Sequence, residues 1–193
     1  MTDPRPYHIL SYGTLLGVQV YQSFVSGVIA FRALPRPQFA QLQTATFPIY
    51  FSLQSALPVV VALTASKGSQ ALGISGLLAP ENRLNTLLPM ATAVVTGLAN
   101  QFILRPLTVN VMRERKKQGM CCLNLSKMSV ENISDWDSET RDGKKSYDPP
   151  PHSKQMQALN KKFGKVHGVS SLLNLVTLLA TVYYGVVIGK QLS

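Results

Sequence analysis

Residues 166–189 read VHGVSSLLNLVTLLATVYYGVVIG, and no Asp, Glu, Lys or Arg occurs among them. Crossing the hydrocarbon core of a bilayer takes roughly 20 mostly apolar residues in a helix. A buried helix in a soluble core is the alternative, but such helices seldom run so long without a charge. The segment therefore predicts a transmembrane helix, and Lys190 follows it directly.

Three further segments are long and apolar in the same way, at about residues 9–31, 47–66 and 84–107, and the last of them is uncharged up to Arg105 near its end. The chain of 193 residues is 46% hydrophobic and only 15% charged, whereas soluble domains carry about 25% charge. These runs exclude an ordinary soluble globule, and the presence of only 2 cysteines excludes a disulfide scaffold. The sequence predicts an all-α polytopic membrane protein, with four transmembrane helices in a bundle that forms a single membrane domain over residues 1–193.

The formal net charge of +10 is concentrated in two connections between the spans. Arg32 and Arg36 lie in the first connection, and most other basic residues lie in the long connection before the fourth span. Basic connections stay on the cytosolic side of a membrane, so we expect both termini on the non-cytosolic side. Basic residues near membrane ends also attract anionic lipids. We therefore expect membrane lipids as partners and no nucleic acid.

The long connection has a composition of its own. Residues 119–160 are poor in aliphatic residues and rich in turn formers, so we expect a largely disordered cytosolic loop. Cys121 and Cys122 follow a basic stretch beside the membrane, where adjacent cysteines are candidates for palmitoylation. Two plain reduced thiols are the alternative.

Uncharged polar residues recur at helical spacing inside the spans, and such residues tend to face the interior of a bundle. We expect them to meet in a polar seam formed by Gln19, Gln22, Ser26, Asn100, Ser170, Ser171 and Asn174. The plainest interpretation is helix packing, supported by hydrogen bonds of about 0.6 kcal/mol each. A path for a substrate or an ion along the seam is one alternative, and a cofactor contact is another.

His167, at the predicted cytosolic entry of the fourth span, is the candidate for that cofactor contact. His8 and His152 fall outside the predicted spans. No second histidine, carboxylate or methionine pair lies within the spans to complete a metal site, so we assign neither a metal centre nor a resident cofactor. No nucleophile with a base and an orienting group can be recognised, so we assign no catalytic residue and predict that the protein is not an enzyme.

Three blocks combine aromatic residues with Gly, Pro, Arg or His near the ends of the spans: FVSG and FRALPR at 24–27 and 31–36, FPIYF at 47–51, and FGKVHGVSSLLNL at 163–175. The motif positions in these blocks are Phe24, Gly27, Arg32, Pro35, Arg36, Pro48, Tyr50, His167 and Gly168. The blocks resemble the transmembrane protein 205-like (TMEM205-like) family. That resemblance implies a four-helix membrane domain of unknown function, and animal members are linked to resistance to platinum drugs. Residues 104–106 read LRP, where animal relatives have an acid before the proline.

Three functions are consistent with these features. The first is a non-enzymatic membrane protein that supports membrane organisation, trafficking or tolerance to xenobiotics such as metal drugs. This hypothesis predicts that bulky substitutions at Gly27 or Gly168 impair the protein. The second is a metal- or haem-binding membrane protein that uses His167. The third is a small transporter or channel along the polar seam. We expect a second copy of the chain or another membrane protein as a partner, and a location in the plasma membrane or an endomembrane, with the mitochondrial outer membrane as the alternative.

Overall fold

The computed structural model describes residues 3–67, 70–119 and 144–192. Its helices are α1 (Arg5–Ala33), α2 (Arg36–Thr64), α3 (Gly73–Leu78), α4 (Pro80–Gly119) and α5 (Lys154–Leu192). Two short antiparallel strands, β1 (Ser66–Lys67) and β2 (Gln70–Ala71), lie between α2 and α3. All helices except α3 are long and apolar enough to cross a membrane. The prediction of an all-α polytopic membrane protein with a four-helix bundle is confirmed.

Prolines set the turn between α1 and α2. Leu34 and Pro35 are extended, with ψ angles of 141° and 145°, and α2 begins at the next residue. Proline suits the first turn of a helix because its φ is already helical and its missing N–H would have no intrahelical partner, and Pro37 takes such a position. The helix thus begins well before the predicted span at 47–66, and Pro48 lies inside it.

The last helix begins within the range that the sequence analysis assigned to a disordered loop. At its start, the N–H of Met156 donates to Ser153 Oγ over 3.1 Å, and serine is a favoured capping residue at helix N-termini. Residues 154–160 are therefore helical. The expectation of a disordered loop was based on the average composition of 119–160, which does not reveal a single capping serine. Residues 120–143 of that range lie outside the described part of the chain.

The chain divides into two compact units, and the larger comprises residues 1–105 and 170–193. Its core takes one large buried side chain from each long helix, namely Leu15, Val61, Met90 and Tyr184. Large apolar side chains also cover the outside of this unit, such as Leu10, 68% exposed, and Val95, 65% exposed. An apolar exterior around helices that satisfy their own backbone hydrogen bonds is the arrangement that lipid requires.

The helices α2 and α4 pack closely at Gly97. A Cβ atom on Gly97 would lie 2.6 Å from Ser55 Oγ and 3.3 Å from Ser55 N, so glycine is needed for this approach. Gly168, by contrast, has no neighbour within 4 Å of such an atom among the described residues, and a Cβ on Gly27 would meet the Gln22 carbonyl of its own helix at 3.2 Å. The described residues therefore give no packing reason for the expected sensitivity at Gly168, and sequence reasoning missed Gly97.

The smaller unit covers residues 106–169, and its described parts are the end of α4, residues 144–153 and the beginning of α5. Val111 and Met156 are its buried apolar side chains, 1% and 0% exposed. Arg115 donates from Nε to Asn160 Oδ1 over 2.9 Å, and its guanidinium lies 4.3 Å from the centroid of the Phe163 ring. Cation–π contacts of this kind contribute about 0.5–1 kcal/mol at exposed sites. These contacts join the two helix segments within this unit.

Candidate functional site in the polar interior of the bundle

Three of the predicted seam residues lie together between α4 and α5. Asn100 donates from Nδ2 to Asn174 Oδ1 over 3.0 Å, and the Ser170 hydroxyl donates to Asn100 Oδ1 over 2.8 Å. One turn earlier along α4, the hydroxyl oxygens of Thr96 and Thr177 are 2.6 Å apart. Asn100 is fully buried, so these bonds satisfy an amide that is costly to leave unpaired in an apolar environment.

Two further amides are buried without a hydrogen-bond partner. Gln19 on α1 and Gln54 on α2 are each 1% exposed. Within the described residues, neither the oxygen nor the nitrogen of either side-chain amide has a partner. A buried polar group left unpaired costs about 1–3 kcal/mol. The two amides are thus available for hydrogen bonds that the bundle itself does not make.

The contact between His8 and Thr64 fixes the register of α1 against α2. His8 Nδ1 and Thr64 Oγ1 are 3.2 Å apart, and the two helices, joined by a short turn, run antiparallel. Both helices rise by about 1.5 Å per residue, so equal steps from this pair bring Gln19 opposite Leu53, the neighbour of Gln54. The two unpaired amides therefore lie at a similar depth in the bundle.

The helices α4 and α5 place amides close to that depth. Gly97 packs against the backbone of Gln54, and Asn100 follows it by about one turn of α4 and bonds to Asn174 of α5. We call the set of four amides, one from each long helix, the amide level; its members are Gln19, Gln54, Asn100 and Asn174. Carboxamides are neutral and carry both donors and acceptors. The amide level therefore places uncharged donors and acceptors of hydrogen bonds inside the bundle.

His8 lies within α1, directly before the predicted start of the first span at about residue 9. It is 7% exposed, its Nε2 is 3.0 Å from the Tyr184 hydroxyl, and the two rings meet edge to face at 5.8 Å. The buried residues of the first part of α1 are His8, Ser11, Leu15 and Gln19. This spacing of three and four residues places His8 on the buried face of α1, and it could have been recognised in the sequence. A span drawn by hydropathy ends at polar residues, whereas the buried face of the helix continues through them.

The other seam residues lie apart from the amide level. Gln22 donates from Nε2 to Gln43 Oε1 over 3.5 Å, Ser26 is half-buried and Ser171 is exposed. A regular helical face does not extend through Gln22 and Ser26, because α1 widens to a π-type turn over Tyr21–Ser26. An inserted residue of this kind rotates the side chains that follow it.

His167 is exposed and stacks on Phe163, with ring centroids 5.6 Å apart and planes inclined by 7°. No three or more His, Cys, Asp or Glu residues group as metal ligands in the described parts of the chain. Binding of a metal or haem at His167 stays a prediction. Cys121 and Cys122, the candidates for lipidation, lie outside the described residues.

Several motif residues build the junction between α1 and α2. The Arg36 guanidinium lies 3.7 Å from the centroid of the Phe31 ring, and Phe31 meets Phe39 edge to face at 5.3 Å. Tyr50 is buried and packs against Phe51 at 5.3 Å. These contacts give the FRALPR and FPIYF blocks a structural reason. Phe24, Arg32, Pro35 and Arg36 are exposed.

Comparison with known proteins adds a family. A family model described as a domain of unknown function (DUF4149) matches residues 10–117. The xanthocillin biosynthesis cluster protein D of Aspergillus fumigatus is 30% identical over 187 residues, covering 97% of this chain and 90% of the relative. No solved structure matches the chain. The family model covers more than half of the chain, and the match to the relative extends over nearly all of the chain. This chain therefore belongs to the DUF4149 family.

Proposed function

We propose that this chain is a non-enzymatic membrane protein that binds a small neutral molecule at the amide level, and thereby supports trafficking of, or tolerance to, such molecules. The observation that carries the proposal is the pair of buried, unpaired amides, Gln19 and Gln54. Each unpaired group costs about 1–3 kcal/mol. A molecule that hydrogen-bonds to both amides recovers that cost without breaking any bond within the bundle.

The chemistry of the amide level favours binding over catalysis. Proton-transfer catalysis uses groups that titrate near the working pH, whereas carboxamides and threonine hydroxyls keep their protons there. These side chains bind and orient a molecule, and Asn100 and Asn174 already hold each other in a fixed geometry. An orienting site of this kind suits retention or transfer of an intact molecule.

The comparisons support a role in handling small molecules. The name of the fungal relative links that protein to the biosynthesis of a small molecule. The resemblance to the TMEM205-like family stays a prediction, and it adds tolerance to platinum drugs to the proposal. We further propose that both termini face away from the cytosol, that the protein resides in the plasma membrane or an endomembrane, and that membrane lipids and a second membrane protein are its partners.

The double variant Gln19→Leu with Gln54→Leu tests the proposed function. Leucine removes the unpaired amide at each site and has a side chain of similar shape to glutamine. We therefore expect the free energy of unfolding to stay equal or to rise by up to about 1–3 kcal/mol per site. We expect tolerance to be lost at the same time. Thermal unfolding of the purified protein gives the stability, and survival of yeast cells expressing the protein under cisplatin, a neutral ammine complex, gives the function.

The matched control is Gln41→Leu, the same change at an exposed glutamine of α2, and it should leave both stability and survival unchanged. Cell-associated platinum should differ between cells with the wild-type chain and cells with the double variant. Full tolerance in the double variant, at equal abundance in the membrane, contradicts the proposal. A large loss of stability instead assigns the two amides to packing.

A second candidate is the passage of small neutral solutes through the bundle. It is favoured by polar pairs at successive depths, since Thr96 meets Thr177 and His8 meets Tyr184 in addition to the amides. In liposomes that contain the protein, we expect faster uptake of urea than in protein-free liposomes, and slower uptake with Asn100→Leu. Stopped-flow light scattering measures both. Uptake equal to that of protein-free liposomes contradicts transport and leaves binding at the amide level intact.

A further inference from the structure

A groove on the outer surface of α2 and α4 lies apart from the amide level. Its volume is about 380 Å³, and it is lined by Ser52, Ser55, Ala56, Val59, Val94, Leu98, Gln101 and Phe102. Pockets that bind small molecules begin at roughly 300 Å³. Phe102 at its rim is 71% exposed, and the exterior of a membrane-spanning helix faces lipid. The groove therefore opens to the bilayer.

The groove is polar at one end and apolar at the other. Gln101 and Ser52 form the polar end, close to Arg105, whose Nε donates to the backbone oxygen of Gln101 over 3.4 Å. Val59 and Val94 form the other end. Each lies about two helical turns along its helix from the polar end, which is roughly 10 Å at a rise of about 1.5 Å per residue. Charged side chains near the ends of spans reach toward the headgroups. The polar end thus faces the headgroups and the apolar end the hydrocarbon, as an amphiphilic lipid is oriented.

The polar end offers hydrogen-bond acceptors whose own donors are already engaged. Gln101 Oε1 is buried and has no partner within the described residues, while Gln101 Nε2 donates to Ser52 Oγ over 3.3 Å. The hydroxyls of Ser52 and Ser55 each donate to a backbone carbonyl of α2 over 2.8 Å. An occupant must therefore supply the donor. Since every lining side chain is neutral, an uncharged hydroxyl fits this end.

We propose that this groove binds a membrane lipid whose headgroup is a single hydroxyl, as in a sterol. The side-chain amide of Gln101 turns so that its Oε1 accepts the hydroxyl of the lipid, and the apolar body of the lipid lies against Val59, Val94 and Leu98. The site goes beyond the proposed function, because none of these residues belongs to the amide level. The bilayer is the source of the ligand, and the unpaired acceptor distinguishes the site from an ordinary contact with acyl chains.

A photoreactive cholesterol probe tests the proposal on the full chain in phosphatidylcholine nanodiscs. We expect the probe to label residues that line the groove, and an excess of cholesterol to prevent this labelling. Cholestane, which has the same ring system without the hydroxyl, should not compete. Equal competition by cholestane, or labelling confined to helices away from the groove, overturns the proposal. This comparison uses only the wild-type chain, so it does not depend on how any variant folds.

Two variants locate the hydroxyl within the groove. Gln101→Leu removes the acceptor and should lower the labelling by about two- to tenfold, the range expected for one neutral hydrogen bond. Leu179→Phe changes a lipid-facing residue of α5, 58% exposed, and should leave the labelling unchanged. Thermal unfolding verifies that both variants keep the fold. Unchanged labelling in Gln101→Leu, or an equal decrease in Leu179→Phe, overturns the assignment.

Discussion

Replacing Gly97 with leucine is expected to separate α2 from α4 and to lower the free energy of unfolding by about 3 kcal/mol or more. Overpacking a well-packed interior usually costs about 1–3 kcal/mol. Here the Cβ atom alone would lie 3.3 Å from the backbone nitrogen of Ser55 and 2.6 Å from its hydroxyl oxygen. A hydroxyl can rotate away, but backbone atoms move only with the helix, so the cost should reach the upper end of that range. Thermal unfolding and the monodisperse fraction in detergent measure the effect.

The same substitution at an open glycine is the matched control. In the described part of the chain, Gly17 and Gly168 have no neighbour within 4 Å of a Cβ atom, and leucine has a higher helix propensity than glycine. Gly17→Leu and Gly168→Leu should therefore leave the free energy of unfolding unchanged or raise it by up to about 0.8 kcal/mol. A loss at either site equal to the loss in Gly97→Leu would mean that the packing at Gly97 is not special.

The second large effect is expected for His8→Ala, a loss of about 2–4 kcal/mol in the free energy of unfolding. Hydrogen bonds inside membrane bundles average only about 0.6 kcal/mol, so the bonds to Thr64 and Tyr184 account for a minor part. The larger part is the cavity, because truncating a large buried side chain to alanine costs about 2–5 kcal/mol. A decrease of several degrees in the unfolding temperature is the expected observation.

Tyr184→Phe separates the two contributions, because it removes a hydroxyl and keeps the ring. We expect this variant to lose about 1 kcal/mol or less. In the double variant with His8→Ala, that small loss should disappear, since its partner is already absent. If Tyr184→Phe alone reproduces the effect of His8→Ala, hydrogen bonding rather than packing of the imidazole ring stabilises this end of the bundle.

The four spans could be predicted from the sequence because insertion into lipid depends on the composition of each segment by itself. Long runs without charges, such as 166–189, are sufficient for that purpose. The ends of the helices are a different matter. A helix continues for as long as its backbone bonds and caps allow, so α2 begins near Pro37 and α5 is capped by Ser153, both outside the apolar runs.

The candidate site could be predicted only in part, for a related reason. Asn100 and Asn174 belong to recognisable polar faces of their own helices, so their meeting was expected. Gly97 matters through what faces it on another helix, and one sequence shows each helix without its neighbours. Gly168, where sensitivity to bulky substitutions was expected, lies open among the described residues instead.

The pairing of Asn100 with Asn174 has a consequence for the biogenesis of the chain. Ribosomes deliver α4 to the membrane before α5, so the Asn100 amide enters the bilayer before Asn174 and Ser170 have been synthesised. During that interval α4 carries an unsatisfied polar group, which favours its retention beside the insertion machinery over release into lipid. Completion of α5 then provides the missing partners, so the synthesis of α5 is the step that allows α4 to leave the insertion machinery.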